Sequence, residues 1–347
     1  MKSLFSPMIS LLCLVSILIT VVWYHVNSNT RVDPPLPIPQ KKSPPKTFNL
    51  CKSCKKIIGK IMEDYNKTWH KQQDNSHKFR SQLTRECHGF DKAIITQANT
   101  PVGFTIVYGL HERTIQVDSK LFSTFAAEHP FLNRTLDTCS VVGNGGILAD
   151  SGCGRMIDSA QFVFRCNLPP LENYEKHVGT KTNLVTVNPS ILRQKYGSLM
   201  NRRRPFVDSL RTYGSSMLLL PAFSLVWNTD LCVRVVYTIE DFGSPVRPVY
   251  FNPEYFHNLA AFWQKQGLKS GRLSSGILMV SLALEVCENV HVYGFWPFSN
   301  HPYGLYDLTH HYYDDRQADK VHAMPAEFEL LMKLHNQGVL KLHLGDC

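Results

Sequence analysis

Hydrophobic and polar positions divide the chain into stretches of different texture. Residues 4–23 are apolar or small and carry no charge, about 20 residues in all, long enough to cross a hydrocarbon core as a helix. Residues 27–48 contain Pro34, Pro35, Pro37, Pro39, Pro44 and Pro45 and almost no large apolar side chain, the pattern of an extended spacer. Residues 50–90 are polar and basic, with Ile57, Ile58, Ile61, Met62, Tyr65 and Trp69 spaced for one short amphipathic helix. Beyond them, short apolar runs alternate with helical patterns. The runs at 140–143, 162–165, 184–187, 217–220, 233–237, 249–251 and 290–293 predict strands. Residues 253–266 predict a helix closed by Gly267 as C-cap. Ser274 and Ser275 offer an N-cap to a largely buried helix over 276–287. This alternation predicts an α/β domain with a mostly parallel sheet and helices on both faces. Ligands on such sheets bind beyond the carboxyl ends of the strands.

The apolar amino-terminal run ends in Trp23-Tyr24-His25, bulky side chains suited to a membrane interface, whereas a cleaved signal peptide has a shorter run and a small-residue cleavage site. Lys2 ahead of it puts the amino terminus in the cytoplasm and the rest in a lumen. The expected organisation is a cytoplasmic tip and signal anchor (1–26), a Pro-rich basic lumenal stem (27–92) and a globular body (93–347). Ten cysteines suit an oxidising secretory compartment, as do the sequons at Asn66 and Asn133. Cys51 and Cys54 have the spacing of half a zinc site, but no second pair stands at a matching distance.

Charge changes the picture through its placement. The 347 residues are 44% hydrophobic, enough for a sizeable core, and carry a formal net charge of +9. Taken alone, that charge suggests nucleic acid or an anionic membrane. Residues 27–92 hold 14 Lys/Arg against 6 Asp/Glu, while 93–347 hold 22 of each. The excess belongs to the tether, which argues against a nucleic-acid-binding body.

Three blocks in the body could carry chemistry. Cys139 opens a strand that runs into Gly143-Asn144-Gly145-Gly146 and on to Phe164-Arg165-Cys166-Asn167-Leu168-Pro169-Pro170. Glycines after a strand let amides approach a phosphate, but Leu148 stands where the dinucleotide fingerprint needs its third glycine, and a plain tight turn explains the loop as well. Asp150-Ser151-Gly152 suggests a hydrolase nucleophile, although neither Ser151 nor Ser275 sits in Gly-x-Ser-x-Gly. Arg272-Leu273-Ser274-Ser275-Gly276 opens a helix with two hydroxyls and free amides, an anion site or an ordinary cap. His310-His311-Tyr312-Tyr313-Asp314 and the following His322 and Glu327 could supply zinc ligands or a histidine base; no His-Glu-x-x-His occurs.

These blocks, in this order, resemble the sialylmotifs of animal sialyltransferases: the large motif from Cys139 to about Ser190, the small one from Arg272 to Gly294, the third at 310–314 and the very small one from His322 to Glu327. Phe164-Arg165-Cys166-Asn167-Leu168-Pro169-Pro170, Tyr293-Gly294-Phe295-Trp296-Pro297-Phe298 and His310-His311-Tyr312-Tyr313 resemble the α2,8-sialyltransferase branch, which joins sialic acid to sialic acid. The resemblance implies a variant GT-A-like (Rossmann-like) α/β domain behind a Golgi membrane anchor. It also implies inverting transfer from CMP-sialic acid to a sialylated glycolipid or glycoprotein glycan, with no metal or other cofactor. The absence of any Asp-x-Asp motif agrees with this.

Carried over residue by residue, the resemblance assigns donor binding to Asn144, Asn167, Ser274, Ser275, Gly276 and Trp296. It assigns the departing phosphate to His310 or His311, with His310 preferred, and the catalytic base to His322. It implies disulfides between Cys139 and Cys287 and between Cys153 and Cys347, and leaves Cys166 as a buried thiol. Polymer-forming relatives carry a strongly basic stretch before the small motif; residues 245–272 hold only Arg247, Lys265, Lys269 and Arg272 against Glu254. Arg202-Arg203-Arg204 is denser but reads as a solvated loop before a helix. The expectation is therefore one or a few added sialic acids. Residues 228–233 and 304–306 lean toward ganglioside-type relatives. A catalytically inactive glycan-binding relative and a lumenal serine hydrolase centred on Ser151 are the competing readings. The sequence leaves open whether the chain is a monomer or a homo-oligomer.

Overall fold

The apolar runs of the body become strands that share one sheet. Ten strands are described: β1 (Ile94–Ile95), β2 (Thr105–Val107), β3 (Thr114–Gln116), β4 (Leu136–Val142), β5 (Phe162–Arg165), β6 (Leu184–Thr186), β7 (Met217–Leu220), β8 (Arg247–Phe251), β9 (Cys287–Tyr293) and β10 (Lys341–His343). β2 and β3 pair with each other, and the other eight follow the order β1-β8-β7-β6-β5-β4-β9-β10. β1 runs antiparallel to β8, and every other neighbour in this sheet is parallel. From β4 the chain steps through β5, β6, β7 and β8 to one side, then returns as β9 on the other side of β4. That reversal opens a crevice at the carboxyl ends of β4, β5 and β9, where ligands bind on sheets of this kind.

The structure is a computed structural model that describes residues 17–20, 22, 52–109, 113–131, 135–269, 272–303, 307–314 and 324–347. The chain divides into two units, Met1–Phe48 and Asn49–Cys347. In the first, residues 17–20 and 22 are helical and exposed. Most of the expected anchor, all of the Pro-rich spacer and Cys51 lie outside the described residues, and among the described residues no helix is long and apolar enough to cross a membrane.

Six longer helices frame the sheet: α1 (Lys52–Tyr65), α2 (Gln73–Glu86), α3 (Val226–Asp241), α4 (Pro253–Lys265), α5 (Ser275–Val286) and α6 (Met324–Asn336). Successive strand residues point to opposite faces. Accordingly Val141, Phe164, Leu219, Val249 and Val292 join a core with residues of α2, α4, α5 and α6. Val142, Val163, Leu218, Leu220 and Tyr250 join a second core with residues of α3 and the shorter helices Pro189–Gln194 and Arg204–Leu210. Burial on both faces explains why these strands read as unbroken apolar runs.

Two expectations are corrected. Residues 233–237 are helical, inside α3, not a strand. The wider pattern decides it: Leu231, Cys232, Val235, Val236 and Ile239 are buried at helical spacing, so packing on the sheet overrides a β-branched run. The expected stem also behaves differently from residue 52 onward. α1 and α2 form two helices rather than one, and Ile58, Met62, Phe79 and Leu83 enter the first core. Phe79 meets Phe262 edge-on at 5.5 Å. Arg80 bonds the Leu284 carbonyl at 2.9 Å, the Cys287 carbonyl, and the Glu288 carboxylate at 2.6 Å, and so covers the carboxyl end of α5. The many charges of this segment sit on its outer surface, which is why it reads as a tether.

Both implied disulfides are formed. Cys139 on β4 joins Cys287 at the start of the adjacent β9, and Cys153 joins Cys347. Cys87, Cys166 and Cys232 are buried free thiols.

Candidate active site

The glycines after β4 are set by neighbouring backbone. Gly143 N–H donates to the Tyr293 carbonyl (2.8 Å) and Gly145 N–H to the Gly294 carbonyl (3.0 Å), so the loop lies against the turn that leaves β9. A Cβ at Gly143 or Gly145 would stand 2.7 or 2.6 Å from the Gly294 oxygen, and Gly294 itself has φ +75°. Close packing of two strand ends thus accounts for these glycines. Asn144, between them, is carried to the mouth of the crevice.

From Asn144 a chain of contacts joins the sequence blocks. Asn144 Nδ2 donates to the Cys166 carbonyl (2.8 Å), while its Oδ1 is buried with no partner among the described residues. Asn167 takes the left-handed region (φ +64°), tolerable for Asn, and Leu168 follows at φ +46°, a strained value for a branched side chain. Thr186, at the end of β6, holds this turn: its Oγ1 accepts the Asn167 N–H (2.9 Å) and donates to Asn167 Oδ1 (3.3 Å). Asn167 Nδ2 then donates to Ser275 Oγ (2.8 Å). Cys166 Sγ lies 3.6 Å from the Ser275 carbonyl oxygen, and burial pushes its thiol up to about 12. Ser274 is the N-cap of α5, its hydroxyl accepting the Ile277 N–H at 3.1 Å. Gly276 lies so close to Phe295 that a Cβ would stand 2.6 Å from the ring.

The histidine pair reaches the same place from the other side. Gly145 and His311 form an antiparallel bridge, and Tyr312 N–H donates to the Asn144 carbonyl (2.9 Å). The His310 and His311 rings are 4.2 Å apart. His311 Nδ1 is 2.8 Å from Asp314 Oδ2, and its ring stacks on Tyr313. A carboxylate therefore orients His311. Tyr312 and Tyr213 donate their hydroxyls to the carbonyls of Pro170 and Pro169, pinning the 310–314 loop and the turn that precedes β7 to the turn after β5. Beneath them lies Arg165, fully buried, bonded to Thr182 Oγ1 (3.0 Å) and the Lys181 carbonyl (2.9 Å). Burial lowers its pKa.

Other expected residues fall as follows. Trp296 is buried, packs edge-on with Phe298 and Phe328, and donates its indole N–H to the Asn300 carbonyl (2.8 Å). His322, the expected base, lies outside the described residues, as do Asn133 and residues 304–306. Asn66 is exposed. The tribasic run is engaged in pairs, Arg203 with Asp241 (2.5 Å) and Arg204 with Asp208 (3.8 Å). Among the described residues no group of three or more His, Cys, Asp or Glu could hold a metal ion. The hydrolase reading fails on geometry. Ser151 is buried and donates to the main-chain carbonyl of His177 (3.3 Å), while His177 Nδ1 accepts the Gly152 N–H (3.1 Å). Among the described residues no base faces the Ser151 hydroxyl, so they form no nucleophile pair.

The family model of glycosyltransferase family 29 (sialyltransferase) matches residues 90–339, a span holding every residue of this constellation. The chain belongs to glycosyltransferase family 29. It is 43% identical over 282 residues to alpha-2,8-sialyltransferase 8E of Homo sapiens, covering 80% of this chain and 75% of that protein. It is 41% identical over 282 residues to alpha-2,8-sialyltransferase 8F of Homo sapiens, covering 80% and 71%. It is 44% identical over 282 residues to the alpha-N-acetylneuraminide alpha-2,8-sialyltransferase of Xenopus tropicalis, covering 80% and 81%. A crystal structure of a mammalian sialyltransferase aligns over 83% of this chain and 95% of its own, with 22% identity and a TM-score of 0.48.

In this family 29 chain, α1 and α2 precede the matched span yet complete its core. Thr186 and Tyr213 escaped sequence reasoning. A threonine closing a parallel strand is the signal that could have found the first; nothing local marks the second.

Proposed function

We propose that this sialyltransferase moves sialic acid from CMP-sialic acid to the 8-hydroxyl of a terminal sialic acid on a glycolipid or glycoprotein glycan. The observation that carries the reading is the 41–44% identity, over 80% of the chain, to proteins named as α2,8-sialyltransferases. Asn144, Asn167, Ser275 and the amides opening α5 hold the donor, with Gly276 admitting close approach and Trp296 buttressing the wall. The helix start and the hydroxyl face the donor's phosphate and carboxylate.

In the transfer, the acceptor O8 attacks C2 of the donor from the face opposite CMP. The C2–O bond to the phosphate breaks, and CMP leaves with the electron pair, which inverts the anomeric centre. His322 takes the O8 proton; the near-neutral reference pKa of imidazole suits that task. Positive charge grows at C2 while negative charge grows on the phosphate, so an imidazole beside the phosphate stabilises departure. His311, oriented by Asp314, is a candidate for that role, with His310 adjacent. CMP carries a single phosphate, and the reading assigns no metal. The protein works in the Golgi lumen as a single-pass type II membrane protein, where two disulfides and a glycan on Asn66 are at home.

Incubation with CMP-sialic acid and a panel of sialylated and unsialylated acceptors tests this reading. Addition of one or a few α2,8-linked residues is expected; long polymers, or transfer only to unsialylated galactose, would overturn it.

A further inference from the structure

The two serines that open α5 have different surroundings. Ser274 is 6% exposed and its hydroxyl is committed twice: it accepts the Ile277 N–H and donates to Glu327 Oε2. Its backbone N–H donates to the other oxygen of the same carboxylate, Glu327 Oε1, at 2.9 Å. A serine hydroxyl has one proton to give, so Ser274 has none left for a ligand. Ser275 is half-buried, and its oxygen accepts only from Asn167 Nδ2 among the described residues. Its hydroxyl also reaches the Cys166 thiol, and the N–H groups of Ser275 and Gly276 in the first turn have no acceptor among the described residues.

Glu327 is 3% exposed and stands in the first turn of α6. Its carboxylate therefore lies at the positive starts of two helices, α5 and α6, where a buried anion is stabilised by both. It is also five residues beyond His322 in the chain. One buried side chain thus ties the turn that presents Ser275 to the helix that follows the proposed base.

We infer that Glu327 is a positioning residue: it holds Ser274 so that Ser275 alone presents its hydroxyl and the α5 amides to the donor. Ser274 acts as the hinge of this arrangement and not as a donor ligand. The inference rests on the donor site of the proposed function, and its test separates the two. CMP, the product nucleotide, is the probe; its affinity is measured by calorimetry, alongside donor KM and kcat and a thermal melt.

Losing a charge-assisted hydrogen bond that holds the turn, or the hydroxyl it presents, weakens CMP binding by about tenfold. Glu327→Gln and Ser275→Ala should each show that loss, and the double variant should bind no more weakly than either single one, because both act through the same hydroxyl. Ser275→Thr, which restores a hydroxyl, should recover the affinity. Ser275→Ala should leave the melting temperature unchanged, whereas Glu327→Gln and Ser274→Ala should lower it. Ser274→Ala removes one of the two bonds to Glu327 and should weaken CMP binding in the same direction, so it carries the test if Glu327→Gln does not fold. Wild-type CMP affinity in both Glu327→Gln and Ser274→Ala, or additive losses in the double variant, would overturn the inference. Absence of CMP binding by the wild-type chain would overturn the proposed donor site instead.

Discussion

Asn167 Nδ2 lies 2.8 Å from Ser275 Oγ, joining residues 108 apart in the chain at the carboxyl ends of β4, β5 and β9. The bond exists because Asn167 adopts a left-handed turn at the end of β5 while Ser275 opens α5 on the opposite wall. Two sequence blocks with no local reason to meet are brought together by the sheet order.

Asn167 is expected to separate strain from function. Asn167→Ala keeps a Cβ in the left-handed region but loses the polar side chain that makes it tolerable, at about 1 kcal/mol or more, and removes the Ser275 bond. Asn167→Gly removes the bond without the strain. Both should bind CMP about tenfold more weakly, but only the alanine variant should melt at a clearly lower temperature. Equal CMP affinity in wild type and Asn167→Gly, measured by calorimetry, would remove Asn167 from the donor site.

The packing of α2 predicts where the catalytic domain can be trimmed. A soluble chain beginning at residue 49 should unfold cooperatively, while one beginning at 93 should not, because it lacks Phe79, Leu83 and the Arg80 bonds to the end of α5. Phe79→Ala in the longer chain should cost about 3 kcal/mol or more. Circular-dichroism melts of the two chains decide this; a sharp transition for the chain starting at 93 would return α1 and α2 to the tether.

Stability should fall in acid through two histidines near the carboxyl terminus. Burial, aided by Lys341, lowers His335 to about 4. Burial, aided by His291 and then Lys341, lowers His343 to about 3. Both are neutral in the folded state near neutrality. Below the unfolded value of roughly 6.5 the unfolded chain binds protons that the folded chain refuses, so stability is complete above that pH and falls as pH drops toward the folded values. The loss is on the order of 1 kcal/mol for each histidine between pH 7.5 and 5.5. Melting temperatures across that range should decline, and more gently in His343→Gln; a flat profile in the wild type contradicts the assignment.

Cys166 should be chemically inert despite its place beside the proposed donor site. Its thiol is fully buried and pushed up to about 12, so almost no thiolate exists at pH 8. Peptide mapping after iodoacetamide treatment should find Cys166 labelled only when the chain is denatured first. Rapid native labelling would mean that the Cys166–Ser275 contact opens in solution.

What was legible follows from where burial leaves a local trace. β5, β7 and α5 are largely buried, so their apolar runs announce them. The run at 233–237 misled because β-branched residues on a sheet-facing helix look like a strand until Leu231 and Ile239 are counted with them. α2 misled because Phe79 and Leu83 are sparse among charges that point outward. Asn144, Asn167 and Ser275 came from motif resemblance, and the sheet supplied the reason they meet. The Ser274–Glu327 bonds and the Thr186 brace join residues far apart in the chain, and no periodicity encodes such pairs. They become visible only when β4, β5, β6 and the starts of α5 and α6 converge.

The central claim is that the acceptor hydroxyl belongs to a sialic acid. One sialylated glycan, offered with labelled CMP-sialic acid before and after enzymatic removal of its terminal sialic acid, tests this most directly. The account predicts incorporation into the intact glycan alone, with product linkage analysis placing the new residue on O8 of the terminal sialic acid. Equal or greater incorporation into the desialylated glycan would contradict it.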